Sequence, residues 1–270
     1  GEMQNLARPG HADYTGAVRY RGSNDIRGGG HFSGRLTAPL VLAGGICKQI
    51  LERHGVFVAS HVLSIKDVSE ERFNPVDIPL ETIKRLQTMD FPLLNPNMES
   101  EMRDVIETAR LNLDSVGGVI ECCVVGMPAG VGSPMFDGVE NVISSILFGV
   151  PAVKGVEFGD GFNAARVYGS ENNDTFYMDN GSVKTRTNHN GGILGGITSS
   201  MPVILRAAIK PTSSIAQPQQ TIDYKTLTDA TITVKGRHDP CIAIRAAVVI
   251  EAAVNIAILD LMMEHGKISL

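Results

Sequence analysis

An α+β fold, with antiparallel sheets and helices packed between or across them, is what this sequence predicts. Three observations carry that reading. Strand-like and helix-like segments mix without the strict alternation of βαβ units, no fixed-period repeat organises them, and 43% apolar residues in a 270-residue chain supply a large core. A single domain over residues 1–270 is expected.

Along the chain, Thr37 is placed to cap a helix over residues 38–54, with Pro39 in its early turns. Gly44 and Gly45 inside it lower helix propensity and point to close backbone packing against another element. Residues 56–66 are β-branched and partly alternating, which predicts a strand. Residues 67–97 read as an irregular excursion with one short helix. Met102, Val105, Ile106, Ala109 and Leu113 then fall on one face of a helix. A strand over 119–125, a turn, an apolar helix over 137–148 and a strand over 153–158 follow. Residues 169–190 are polar, with Asp179, Asn180 and Gly181 at a hairpin tip. Strands are expected over 201–210 and 231–235. Asp239 and Pro240 then open a last long helix, in which Glu251, Asn255 and Asp260 form a polar edge.

The net charge of -5 supplies no global field for nucleic acid or an anionic membrane. The polar residues in 246–263 argue against a membrane span. Cys47, Cys122, Cys123 and Cys241 lack CxxC spacing, which fits a reduced cytoplasm and speaks against zinc. The opening residues do not read as a secretory leader.

Against this background stand five islands of basic, hydroxyl, glycine and imidazole residues: RPGHADYT (8–15), GGGHFSGRLT (28–37), NHNGGILGG (188–196), KPTSS (210–214) and GRHDPC (236–241). Each joins accessible backbone to side chains that grip or protonate oxyanions. Ser33 and Arg35 precede a helix start and suit a doubly anionic small molecule. Lys210, Pro211, Thr212, Ser213 and Ser214 offer a cation and three hydroxyls on a stiffened loop. His11 is suited to proton transfer, or to stabilising a turn; Asp239 reads as a helix cap or as a site residue beside Arg237 and His238. The glycine clusters read alone as tight turns, since both the GxGxxG and P-loop spacings fail. His54, His61 and His265 read as structural.

The ordered motifs RPGHADYT, RGGGHFSGRLTAPLV, GVGSPMFDG, TNHNGGILGGI, AIKPTSSI and GRHDPC closely resemble the chorismate synthase family. The resemblance implies a β-α-β sandwich of antiparallel sheets around helices, assembled as a homotetramer. It implies a lyase of the shikimate pathway that converts 5-enolpyruvylshikimate 3-phosphate into chorismate and phosphate with reduced FMN, NADPH being a candidate reductant. By that resemblance His11 and Asp239 are catalytic. His31, Phe32, Ser33, Asn188, His189, Gly195, Lys210, Pro211, Thr212, Ser213, Ser214 and Arg237 contact the flavin. Ser33, Arg35 and Arg237 also face the substrate, and no metal is implied. The family's GESHG-type opening, with a second essential histidine, is not present in the 270 residues. If the chain is a fragment, weak FMN binding and little turnover are expected. The alternative is an inactive or truncated member that serves only as an anion- or flavin-binding scaffold.

Overall fold

The computed structural model describes residues 5–25, 27–236 and 238–269. Helix α1 (Asp13–Arg19) and two 3-10 turns lead into α2 (Thr37–Arg53), β1 (Phe57–Ile65) and the two-residue β2 (Val68–Ser69). Next come α3 (Leu80–Leu86), α4 (Glu99–Leu111), β3 (Gly118–Val125), α5 (Val139–Gly149), β4 (Val153–Phe158) and α6 (Gly169–Asn172). The hairpin of β5 (Phe176–Asp179) and β6 (Ser182–Thr185) is followed by the short pair β7 (Ile193–Leu194) and β8 (Ile197–Thr198). Then come β9 (Val203–Ile209), the hairpin of β10 (Gln219–Asp223) and β11 (Thr228–Ile232), and α7 (Ala243–Glu264).

The expected α+β class and antiparallel pairing hold. Five strands form one sheet in the order β2-β1-β3-β9-β4, every neighbour antiparallel. Alternation along each strand sends one set of side chains to each face. Val58, Val62, Ile120, Cys122, Val124, Val203, Leu205 and Ala207 join the large core formed with α5 and α7. Ala59, Cys123 and Ile204 meet Phe73, Ile78, Ile83 and Leu86 of the 67–97 excursion. Both faces are therefore covered, which is why β1 shows only partial alternation: all but its first residue are buried.

The face under the excursion carries a row of charges. His61, Glu121, Arg206 and Glu157 sit directly opposite one another on β1, β3, β9 and β4. His61 Nε2 lies 3.0 Å from Glu121 Oε2, Arg206 Nη1 donates to Glu121 Oε1 at 3.2 Å, and Arg206 Nε donates to Glu157 Oε1 at 2.5 Å. Glu70 closes the end of the row with Oε1 2.5 Å from His61 Nδ1, and accepts the amides of Leu94 and Asn95. Burial disfavours a charged His61, yet its hydrogen bonds to Glu121 and Glu70 outweigh that and raise its pKa. Burial likewise opposes ionisation of Glu121, and bonds from His61 and the Phe73 amide overcome it and lower its pKa.

On the helical side, Gly44 of α2 sits where a Cβ would come 2.5 Å from Ala252 Cα of α7, as close backbone packing requires. The space beside Gly45 is open. α7 is long and apolar enough to cross a membrane, but 72% of its apolar window is buried within the protein, the property of a core helix.

Some expected boundaries are corrected. α7 begins at Ala243, with Ile242 as its cap residue, so Asp239 does not cap it. Thr37 is the first helical residue rather than the cap, and Ser33 instead caps the preceding 3-10 turn by accepting from Arg35 N. Leu113 lies past the end of α4, exposed and at φ +58°. The final strand is β11, shifted toward the N-terminus from 231–235, and its partner β10 was not expected. The polar edge of α7 divides: Glu251 pairs with Lys48, Asn255 is buried, and Asp260 is exposed. The 179–181 tip is a hairpin turn with Asn180 at φ +47° and Gly181 at φ +86°, the two positive angles that a two-residue type I′ turn needs.

Replacing His61 by Ala removes the partner that Glu70 and Glu121 share in the interior and should destabilise the fold by about 3–5 kcal/mol, read by urea denaturation. The raised His61 pKa contributes stability that is complete below its unfolded value of 6.5 and lost as pH rises through the folded value. The lowered Glu121 pKa contributes above 4.5 and is lost as pH falls. The gap between wild type and His61→Ala should thus be widest between pH 4.5 and 6.5.

Candidate anion-binding cleft

At one end of the sheet, Val153 and Gly118 flank Ile209, so the segments leaving β9, entering β4 and entering β3 lie side by side. Lys210 N donates to the Ala152 carbonyl at 2.9 Å, which ties 210–214 to the turn after α5. The 8–15 segment is clamped on top. The Gly10 carbonyl accepts from Lys210 Nζ and, at 2.8 Å, from Ser213 Oγ. Gly10 has φ +70°, and a Cβ there would stand 3.3 Å from Ser213 Oγ, so glycine permits this close seating. The Phe32 ring covers Gly16 of α1 so tightly that a Cβ would approach to 2.8 Å, which anchors the 29–37 segment beside α1.

Between these segments opens a cleft of about 970 Å³, within the size range of small-molecule sites. It is lined by His11, His31, Phe32, Ser33, Arg35, Lys210, Pro211, Thr212, Ser213, Ser214 and Asp239. Four of the five islands thus reach one site. The cap residue Ile242, Ala246 and Val249 of α7, and Val150 supply apolar wall.

Asp13 organises the chemistry beneath His11. It accepts from Arg8 Nε at 2.7 Å and Arg8 Nη2 at 2.8 Å, and its Oδ1 lies 2.8 Å from His11 Nδ1. Burial would raise the Asp13 pKa, but the bonds from Arg8 and His11 outweigh it and hold the carboxyl well below the usual range. The hydrogen bond to Asp13 raises the Arg8 pKa in turn. With Nδ1 turned to the Asp13 carboxylate and Arg8 Nη2 3.1 Å from Nδ1 and 3.3 Å from Nε2, the His11 ring is held in place, and Nε2 lies 3.8 Å from where a Cβ on Gly29 would stand. Arg8, Arg35, Lys154, Lys210 and Arg245 line the cleft, against the carboxylates of Asp239 in its wall and Asp13 behind it. The surplus is positive in a protein whose total charge is negative.

Asp239 accepts from Cys241 N at 3.2 Å, a local turn, and touches Arg245. Arg237 lies outside the described residues. Asn188, His189 and Gly195 do not line the cleft. Asn188 is buried, and its amide is engaged by the backbone: Oδ1 accepts from Gly192 N at 2.7 Å, while Nδ2 donates to the carbonyls of Pro75 and Pro202. His189 Nδ1 pairs with Asp160 at 2.8 Å. Gly191, Gly192, Gly195 and Gly196 all have positive φ, so this island is a chain of tight turns. Lys154 and Arg245 were missed by sequence reasoning. Lys154 was absorbed into a strand, and Arg245, a lone cation in an apolar helix shortly after GRHDPC, was the signal available.

An antiparallel α+β scaffold with a cationic, histidine-bearing cleft defines an enzyme class that handles small multiply charged anions. Residues 1–263 match the chorismate synthase family. A chorismate synthase of Korarchaeum cryptofilum is 45% identical over 268 residues, covering 98% of this chain and 73% of that relative. One of Thermococcus gammatolerans is 44% identical, covering 96% and 71%. A solved chorismate synthase structure superimposes with a TM-score of 0.78 at 27% identity, over 94% of this chain and 70% of that one. The chain belongs to the chorismate synthase family and is a lyase of aromatic biosynthesis. The enzymatic reading holds over the scaffold alternative.

Asp13→Ala removes the acceptor of Arg8 and His11 and should cost about 1–3 kcal/mol of stability at pH 7. Because the Asp13 pKa is lowered, the difference from wild type should shrink as pH falls below the unfolded value of 3.8, as denaturation at the two pH values would show.

Proposed function

We propose that the cleft holds reduced FMN against 5-enolpyruvylshikimate 3-phosphate and catalyses the 1,4-elimination of phosphate to give chorismate. The observation that carries this is the convergence of His11, Arg35, Lys210 and Asp239, from four separate islands, on one cavity. The lining fits a flavin mononucleotide. Thr212 Oγ1 is buried with no hydrogen-bond partner, and Thr212 lines the cleft together with Lys210, Ser213 and Ser214, a donor set suited to phosphate. Phe32, Val150, Ile242 and Val249 offer apolar surface for a ring system. His31, Ser33 and Pro211 complete this set of proposed flavin contacts.

Reduced FMN, when bound, supplies electron density that eases departure of phosphate and a base for the hydrogen lost from the substrate ring. The protein's residues do the rest. Arg35, Ser33 and Lys154 hold the substrate's anionic groups, and fixed cations in a shielded site stabilise the leaving phosphate. His11, oriented by Asp13, exchanges a proton at Nε2, and Asp239 accepts one at its carboxylate. NADPH is proposed as the source of reducing equivalents and the cytoplasm as the place of action. A homotetramer is supported by the exposed Leu42 and Ile46 on α2, an apolar surface of the sort that assembly covers.

Phosphate release and chorismate formation, followed anaerobically with reduced FMN, test the reading. His11→Ala should lower kcat roughly 100-fold with a smaller change in KM. Lys210→Ala should chiefly weaken FMN or substrate binding. Wild-type protein that releases no phosphate under these conditions would contradict the proposal.

A further inference from the structure

Two loops of the cleft wall, 210–214 and the segment around Asp239, are braced from outside by a stretch that does not itself line the cleft. Segment 112–117 carries the chain from α4 into β3 and touches both. Ser115 Oγ donates to the Thr212 carbonyl at 2.7 Å, and Val116 N donates to the Pro240 carbonyl at 2.8 Å. The Asn112 carbonyl accepts from Gln217 Nε2 at 2.7 Å, and the Leu113 carbonyl from Ala216 N at 3.2 Å. Gly117 lies directly against Pro211: a Cβ there would stand 2.4 Å from the Ile209 carbonyl oxygen and 3.1 Å from Pro211 Cδ. Ser115 is steadied by its own amide, which donates to Asp114 Oδ1 at 2.8 Å.

We propose that segment 112–117 is a strut that sets the spacing of the two loops, and that Ser115 is a positioning residue for flavin binding, acting through Thr212. The peptide after Thr212 is planar and trans, so its carbonyl and the Ser213 N–H point in opposite directions. Holding that carbonyl on Ser115 turns the Ser213 N–H away from the strut. This amide has no protein acceptor among the described residues, and it becomes a fixed donor for an anion beside the Lys210 ammonium. Without the Ser115 hydroxyl the peptide plane is free to rock, and the donors of 210–214 are no longer prearranged.

This inference rests on the flavin reading above, and titration of the full chain with FMN, followed by flavin fluorescence, separates the two. Wild type should bind FMN, Ser115→Ala should bind about 3- to 10-fold more weakly, and Ser115→Thr, which restores a hydroxyl, should recover most of the loss. Asp114→Ala, at an exposed position, should give a smaller loss in the same direction and serves where Ser115→Ala folds poorly. Ser115→Ala that lowers the melting temperature while leaving FMN affinity unchanged has a structural role only, and overturns the inference with the flavin reading intact. Failure of Ser115→Thr to improve on Ser115→Ala also overturns it. Wild type that binds no FMN overturns the flavin reading and this inference with it.

Discussion

The buried charge row His61, Glu121, Arg206 and Glu157, closed by Glu70, is the constraint on which the rest of the structure depends. Side chains alternate across a sheet, so a one-residue slip of β9 against β3 would turn Arg206 into the apolar core beneath α7 and leave Glu121 facing a hydrocarbon. Such a state is far costlier than a slip between purely apolar strands. The row therefore selects one register for four strands at once, and Glu70 and the Phe73 amide use the same charges to seat the 67–97 excursion. Buried ionic groups that specify an arrangement more than they stabilise it are a known use of such networks.

Register is what places the cleft. With Gly118 opposite Ile209 and Ile209 opposite Val153, three loops must leave the sheet at one corner. Gly117 then meets Pro211, Ser115 meets Thr212, and Ala152 receives the Lys210 amide. Ala152 itself has φ +75°, a conformation that L residues seldom adopt, in the wall of the site. The segment 8–15 is recruited onto this corner from the far N-terminal side by the Gly10 carbonyl, and brings His11 with Asp13 already set behind it. An acidic protein thereby concentrates positive charge in one cleft, and local arrangement outweighs net charge over a few ångströms.

Much of this was legible in the residues. The strand over 153–158, the long apolar helix, the hairpin tip at Asn180 and Gly181, and the close contact foreseen at Gly44 all follow from local chemistry that tertiary packing does not override. So did four of the islands, because Gly, Pro, Lys, Ser and His clustered in otherwise apolar sequence have few structural uses together. The charge row was not legible. His61 read as a structural histidine and nothing singled out Glu121 or Arg206, since their partnership exists only once register is known. The NHNGG island was ambiguous for the opposite reason. Its glycines satisfy tight turns and Asn188 satisfies three backbone groups, so folding needs alone already call for these residues. Asp239 sits in a cap-like turn of its own, three residues short of the helix cap at Ile242, because the Asp-Pro pair starts a turn that the helix does not continue.

The central claim is that sheet register assembles a single flavin and phosphoester cleft at one corner of the molecule. Hydrogen exchange measured with and without FMN tests it most directly. The account predicts slowed amide exchange in segments 8–15, 29–37 and 210–214 together on addition of FMN. FMN binding that leaves all three segments exchanging at their unliganded rates would contradict it.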